Sequence, residues 1–254
     1  TPLASYLYTQ MGIEFIMVFE GIMLLVASLF EAMIDYRETQ HGSGRFDLQA
    51  YREQFRAGWQ FLKKEKGLQK IYAYMPIMQG LSEGSSSLII AYFQTTPGLG
   101  ITLYSLFTIA EFLGRSIGGI VHYRYEIPAK KRFRFACIVY YIYPLMDALL
   151  LWLAYPLMLL NRSICGFLGI NSATLRESSV QNYMPDENRA KLNAFFHVAY
   201  SLVSMFCRFT AGALGEILDY RFCLMLFAAI EIFSCTWIIY RNQELVKPIY
   251  NQNY

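Results

Sequence analysis

The stretch MGIEFIMVFEGIMLLVASLFEAMI, residues 11–34, is apolar almost throughout and decides the class of fold. A bilayer core about 30 Å thick is spanned by roughly 20 residues of α-helix, and this run is long enough. Similar blocks recur along the chain without the strict alternation expected of the strands of a membrane barrel. The sequence therefore predicts an all-α protein that crosses a membrane several times.

About seven apolar blocks have the length of a transmembrane helix. A water-soluble fold is the weaker alternative, because it would have to bury seven helices completely within 254 residues. The predicted spans are residues 11–34, 71–93, 101–121, 135–154, 155–175, 192–215 and 222–240.

Lys and Arg are distributed unevenly among the connections between these blocks. Residues 35–70 carry eight of them and residues 122–134 carry five, whereas the intervening loops TTPGLG and LAYP carry none. The positive-inside rule then places the first ten residues outside and the C-terminus in the cytoplasm. The polar stretch RESSVQNYMPDENRAKLN, residues 176–193, is predicted to be a cytoplasmic loop with a turn at Pro185.

The basic segment 35–70 contains a different kind of helix. HGSG, residues 41–44, is a flexible break, and apolar residues follow it at helical spacing among charged ones. The pattern predicts an amphipathic helix, which either lies on the inner leaflet or covers the membrane domain. Its apolar positions are Leu48, Tyr51, Phe55, Trp59 and Leu62.

Composition excludes several kinds of partner. A net charge of +3 is too small to predict nucleic-acid binding. The five cysteines all lie in apolar blocks and form no C-x-x-C pair, so we expect buried thiols rather than disulfides or a zinc site. We expect no metal and no cofactor.

Three polar motifs resemble those of the major facilitator superfamily. GRSIGGIVHYRYEIPAKKR, residues 114–132, resembles the family's G-x-x-x-D-R-x-G-R-R loop: Gly119 and Arg124 fit, but Tyr123 replaces the Asp. NRSICGFLG, residues 161–169, resembles R-x-x-Q-G-x-G through Arg162 and Gly166, with Cys165 in place of Gln and the second Gly displaced to Gly169. The stretch 176–193 resembles a cytoplasmic loop of the family and contains Arg176, Pro185 and Arg189.

The resemblance implies half of a twelve-helix transporter, built from inverted three-helix repeats. Residues 1–34 would end the N-terminal half, 35–70 would be the central cytoplasmic loop, 71–240 the C-terminal six-helix domain, and 241–254 a cytoplasmic tail. The missing N-terminal half would be the partner of this chain.

The implied activity is secondary transport of a small organic solute across the cell membrane by alternating access, coupled to protons. TPLASYL, residues 1–7, resembles the tail of an antiporter motif through Pro2, which favours efflux. Gly119, Arg124, Arg176, Pro185 and Arg189 would take part in cytoplasmic gating.

Ionisable residues inside the predicted spans are the candidates for substrate or proton binding, because each costs about 2.5–3.5 kcal/mol to insert. Glu83 lies in QGLSEGSSS, residues 79–87, where glycines and serines should weaken the helix; GFLGINSAT, residues 166–174, repeats this pattern after Arg162. Such interruptions indicate a midplane site. The candidates are Glu83, Arg162, Asp147, Glu111 and Arg115, and for each of them structural pairing is the alternative role. Glu14, Glu20, Arg208 and Glu231 also lie in the spans, and we expect Arg208 to pair within the bundle.

Two other functions compete with transport. GLSEG, residues 80–84, matches the G-x-S-x-G motif of hydrolases, but that motif needs a strand-to-helix turn, and a membrane helix does not provide one. No G-x-x-x-x-G-K-[ST] motif for nucleotide phosphates is present. We therefore expect no enzymatic activity, and a non-transporting scaffold or receptor remains the main alternative.

Overall fold

The computed structural model describes residues 2–33 and 48–252, and within these ranges all regular structure is helical, which confirms the all-α prediction. The HGSG break lies outside the described residues. The helices are α1 (Pro2–Ala32), α2 (Leu48–Lys64), α3 (Lys66–Thr95), α4 (Ile101–Arg124), α5 (Ala129–Leu150), α6 (Tyr155–Tyr183), α7 (Asp186–Ile217), α8 (Tyr220–Ser234) with a π-helical extension (Cys235–Tyr240), and α9 (Gln243–Tyr250).

Four of the described helices are long and apolar enough to cross a membrane, as a multi-pass membrane protein requires. The helices α3, α4 and α6 coincide with three further predicted spans, but polar residues lower their hydropathy, so the seven-span count stays a prediction. The four apolar segments are Met11–Ala32, Ala129–Leu150, Asn188–Ile217 and Tyr220–Tyr240.

The chain forms two compact units, residues 1–51 and 52–254. In the first unit, α1 turns at Gly12, whose φ of 76° falls in the left-handed region that glycine adopts without strain. From Met11 to Ala32 its side chains are mostly apolar on every side of the helix, and all are exposed except the half-buried Ile16. A helix that is apolar all round suits a lipid or protein environment rather than water.

In the second unit, the six long helices can be divided into two consecutive trios, α3–α5 and α6–α8, whose contacts follow a matching pattern. The most extensive contacts join α4 to α6 and α3 to α7, and each of these pairs maps onto the other when the trios are exchanged. The contact of α5 with α6 corresponds in the same way to that of α8 with α3. The most extensive helix contacts therefore keep the same pattern when the two trios are exchanged.

Glycines bring the most extensively paired helices into backbone contact. A Cβ at Gly114 of α4 would collide with the Ser163 carbonyl of α6, and one at Gly166 would collide with the Glu111 carbonyl of α4. On the other side, a Cβ at Gly80 would lie only 2.8 Å from Val203 of α7. Small residues thus determine how closely these helices approach each other, as is common between membrane helices.

Two apolar clusters occupy opposite ends of this bundle. One contains Ile71, Tyr140 and Ile239, and the other contains Phe93 and Leu224. Between them, in the middle of the helices, lie the buried polar residues Asp147, Asn161, Arg162, Asn171, Ser172 and Glu231. A polar layer therefore crosses the bundle between two apolar clusters.

The C-terminal part of the amphipathic helix α2 belongs to the second unit and packs within it. Leu62 is buried, and the rings of Trp59 and Phe195 of α7 lie 5.3 Å apart. Tyr183 donates a hydrogen bond to Glu65 over 2.6 Å, and this bond raises the pKa of Tyr183 to about 12. These contacts favour the covering role over the alternative of lying on the leaflet.

The C-terminal segment, predicted only as a tail, contains the helix α9. Val246, Ile249 and Tyr250 are buried, and the Tyr250 and Tyr140 hydroxyls lie 2.9 Å apart. Burial raises the pKa of Tyr250 well above its usual value. This end of the chain is therefore part of the folded unit.

The prediction of a loop over residues 176–193 is wrong. Helix α6 continues to Tyr183 and α7 begins at Asp186, which leaves only Met184 and Pro185 between them. Polarity alone does not end a helix: no residue before Pro185 disfavours helical geometry, and proline suits a helix start.

Candidate functional site: a polar cavity within the helix bundle

One cavity in the second unit, larger than its neighbour, has a volume of about 450 Å³ and lies in the polar layer. All six long helices of this unit contribute to its wall. Its chemically informative residues are Glu83, Arg115, Tyr140, Tyr143, Arg176, Glu177, Phe196, His197, Tyr200 and Glu231. The wall combines both signs of charge with aromatic rings, as is typical of sites for small organic molecules.

A smaller cavity of about 170 Å³ adjoins the larger one and is lined mainly by polar groups. Ser82, Glu83, Arg115 and Tyr143 line both cavities. Glu111 and Arg162 line the smaller cavity only. The structure therefore brings four of the five predicted binding residues to one connected polar region.

Arg162 lies at the centre of a buried ion cluster. Its Nε is 2.8 Å from Oε2 of Glu111, and its Nη1 is 3.1 Å from Oδ1 of Asp147. The guanidinium also lies over the rings of Phe107 and Tyr143, with centroids at 5.5 and 6.0 Å. With two carboxylates and two aromatic faces around it, Arg162 is fully neutralised and held in place.

Asp147 lies behind Arg162 and lines neither cavity. Arg162 is its ion partner, and both side chains are more than nine-tenths buried. This geometry supports the structural role for Asp147 rather than contact with a solute.

Glu111 and Arg115 form the intrahelical pair expected from their spacing. The Arg115 Nη2 lies 2.8 Å from Oε1 of Glu111, while the other Glu111 oxygen contacts Arg162. Arg115 is more than half exposed and extends to both cavities. Glu111 therefore bridges the buried Arg162 and the exposed Arg115, whose side chain a solute could reach.

Glu83 of α3 is held by two residues of α7. Tyr200 donates to its Oε1 over 3.1 Å, and Arg208 donates to its Oε2 in a short charge-assisted contact. The expected pairing of Arg208 within the bundle is confirmed. Unlike the Arg162 cluster, this pair is partly exposed, so water or a solute can compete for it.

The helices remain continuous where interruptions were predicted. Ser86 and Ser87 donate to the carbonyls of Ser82 and Glu83, one turn earlier in α3. In α6, Asn171 donates to the Phe167 carbonyl over 2.7 Å. The polar side chains are thus satisfied within intact helices, and the glycines serve close packing instead.

Because helix α3 is unbroken, the G-x-S-x-G match in it has helical geometry. Ser82 lies inside helix α3, on the wall of both cavities. The sharp turn between a strand and a helix that presents a hydrolase nucleophile is not formed at this residue.

The predicted gating residues occupy three environments. Arg124 and Pro185 are exposed, and Gly119 has open space at its Cβ position. Arg189 caps the turn before α7, because its Nη2 lies 2.9 Å from Asp186 and donates to the Gln181 carbonyl. Arg176 is not a loop residue: it is buried in α6 and lines the larger cavity.

Three further residues line the larger cavity: Tyr200, which the sequence did not indicate, His197, and Glu231, which the sequence indicated only as one of several ionisable residues in the spans. Glu231 is 7% exposed and lies on α8, just before the π-helical extension. Its position inside an apolar block was the available signal. The pattern did not distinguish it from other ionisable residues, because only the fold shows which of them have partners.

Comparison with protein-family models, curated proteins and solved structures gives no match to this chain. The resemblance to the major facilitator superfamily therefore remains a proposal, based on the sequence motifs and on the helix arrangement described above.

Proposed function

We propose that this chain is the C-terminal part of a secondary transporter of the major facilitator type, which moves a small organic solute by alternating access. The observation that carries the proposal is the polar cavity of about 450 Å³ enclosed between two apolar clusters. Charged residues at membrane depth are expensive and typically mark solute or ion pathways. A purely structural bundle has no need for such a layer.

The helix arrangement supports alternating access. The main contacts between the two trios keep the same pattern when the trios are exchanged, which supports a pair of inverted repeats. Backbone contacts at Gly114 and Gly166 hold α4 and α6 together, so that in this proposal they move as one rigid pair. In this proposal the N-terminal half, which packs against this domain, completes the substrate pathway.

Proton coupling is proposed at Glu83, because its ion pair with Arg208 is partly exposed and lies at the cavity wall. Protonation of Glu83 would release Arg208 and weaken the contact between α3 and α7. A proton could in this way bias the inward-facing against the outward-facing state.

The distribution of Lys and Arg supports a cell-membrane orientation with a cytoplasmic C-terminus. Efflux is the proposed direction, from the resemblance of residues 1–7 to an antiporter motif.

Flux measurements on the full-length protein in liposomes test the proposal. A panel of aromatic organic solutes is added under an imposed pH gradient, and solute uptake and lumenal pH are recorded together. We expect at least one solute to move with protons, and Glu83→Gln to abolish the pH dependence. Glu244→Gln, the same change at an exposed residue of α9, is the matched control.

Two results would contradict the proposal. Absence of any protein-dependent solute or proton movement would favour the scaffold or receptor function. Unchanged flux and pH dependence in Glu83→Gln would remove Glu83 as the coupling site while leaving transport in place.

A further inference from the structure

Glu231 differs from every other charged residue that lines the larger cavity. Glu83 is paired with Arg208, Arg115 with Glu111, and Arg176 with Glu177 at 3.8 Å. Within the described ranges, by contrast, the Glu231 carboxylate forms no ion pair and no side-chain hydrogen bond. It is 93% buried and lies in the cavity wall.

An isolated carboxylate in such a place is costly to keep ionised. Transfer of an unpaired charge into a low-dielectric interior is so unfavourable that the group either becomes neutral or acquires a counter-ion. The neighbouring Asp147 increases the cost, since it is a second acid already committed to Arg162. Without a counter-ion, Glu231 should therefore hold a proton.

The wall around Glu231 suits a cation with an organic body. Tyr140, Tyr143, Phe196 and Tyr200 line the same cavity, and aromatic faces attract a desolvated cation. A volume of about 450 Å³ lies within the range of sites for drug-sized molecules. Arg115 and Arg176 do not oppose such a ligand strongly, because each already has its own carboxylate.

We propose that Glu231 is the binding site for the positive charge of an organic cation, and that the cation displaces the carboxyl proton. The exchange is balanced: Glu231–COOH and the free cation give the Glu231 carboxylate with bound cation and one released H⁺. This inference rests on the proposed function, since it gives the transporter a substrate class and a second proton-exchanging group.

Other titratable groups face Glu231, and they must be separated from it in any pH experiment. His197 is the histidine among them. The groups on the packed helices and the cavity wall are Tyr74 and Glu83 on α3, Arg115 on α4, Tyr140, Tyr143 and Asp147 on α5, Arg176 and Glu177 on α6, His197 and Tyr200 on α7, and Cys235 after α8.

Equilibrium binding of tetraphenylphosphonium, a permanent aromatic cation, to the detergent-purified full-length protein tests the inference. We expect binding to release protons and to strengthen as pH rises, by up to about tenfold per pH unit while Glu231 is protonated. Glu231→Gln should weaken binding about thirtyfold or more and abolish proton release, as expected when one partner of a buried charge pair is removed. Glu244→Gln, at an exposed residue of α9, should retain both properties.

Infrared spectroscopy of the wild-type protein gives a readout that does not depend on how the variant folds. The band of a protonated carboxyl should disappear when tetraphenylphosphonium is added. Persistence of that band, or wild-type affinity and proton release in a folded Glu231→Gln protein, would overturn the inference; so would absence of binding to wild type. Binding through Glu231 without flux in liposomes would instead contradict the proposed transport function alone.

Discussion

Replacement of Arg162 by Met tests the structural role of the buried ion cluster. Methionine keeps an unbranched apolar side chain but removes the charge that neutralises Glu111 and Asp147. Removal of the Arg162 charge affects the two acids unequally. Glu111 retains Arg115 at 2.8 Å, whereas no other ion partner of Asp147 is found in the described ranges.

The magnitude follows from this asymmetry. Breaking a buried ion pair costs about 3–5 kcal/mol, because one charge remains buried and unpaired. In Arg162→Met that charge is on Asp147, so a second change to Asn should recover about 2–3 kcal/mol of the loss. Lost cation–π contacts with Phe107 and Tyr143 leave a residual deficit of about 1 kcal/mol. Changing Glu111 to Gln instead should recover little, because Asp147 stays orphaned and Arg115 loses its acid.

Reversible unfolding in mixed micelles, titrated with a denaturing detergent, measures these free energies for wild type, the single variant and both double variants. Wild type should be the most stable, followed by the double variant Arg162→Met with Asp147→Asn. The double variant Arg162→Met with Glu111→Gln should be about as unstable as Arg162→Met alone. If Glu111→Gln restores as much stability as Asp147→Asn, the reasoning is refuted, because Asp147 would then not depend on Arg162 as its ion partner.

The remaining predictions concern packing, titration and thiol exposure. Gly114→Ala should lower the free energy of unfolding by about 1–3 kcal/mol, because its Cβ meets the Ser163 backbone; Gly119→Ala, in open space on the same helix, should be neutral or stabilising, and equal effects would contradict the packing seen here. The hydrogen bond to Glu65 raises the pKa of Tyr183 to about 12, so its contribution to stability is full below pH 10 and is lost as pH rises through 12; an ultraviolet titration should lose this late transition in Glu65→Gln. All five cysteines are free and buried, so a maleimide should modify them only after unfolding, and labelling of the native protein would show that one of them is accessible.

The positions of the helices were largely predictable from the sequence, because apolar block length and helix length are set by the same rise per residue. The ends of the helices were less predictable. The polarity of segment 176–193 predicts a loop, although Pro185 is the residue in it that ends the helix. Polar residues near the end of a membrane helix extend the helix rather than end it, and α9 escaped notice because it is short.

The pairing of charges was predictable only where the partners lie one helical turn apart. Glu111 and Arg115 are four residues apart, and their contact forms as expected. Arg162 and Glu111 are separated by 51 residues, and Arg208 and Glu83 by 125. Which residues meet over such separations depends on which helices pack against each other and how closely their glycines let them approach. The pairing of the helices cannot be predicted from a single sequence.

The degree of exposure separates the ion pairs that can break during a transport cycle from those that hold the domain together. Arg162 and Asp147 are 8% and 9% exposed, so separating them would strand two charges away from water. Arg208 and Glu83 are 57% and 33% exposed, and water can solvate each as they part. If the domain changes conformation as proposed, α4, α5 and α6 should therefore stay together around Arg162, while the contact between α3 and α7 opens at Glu83.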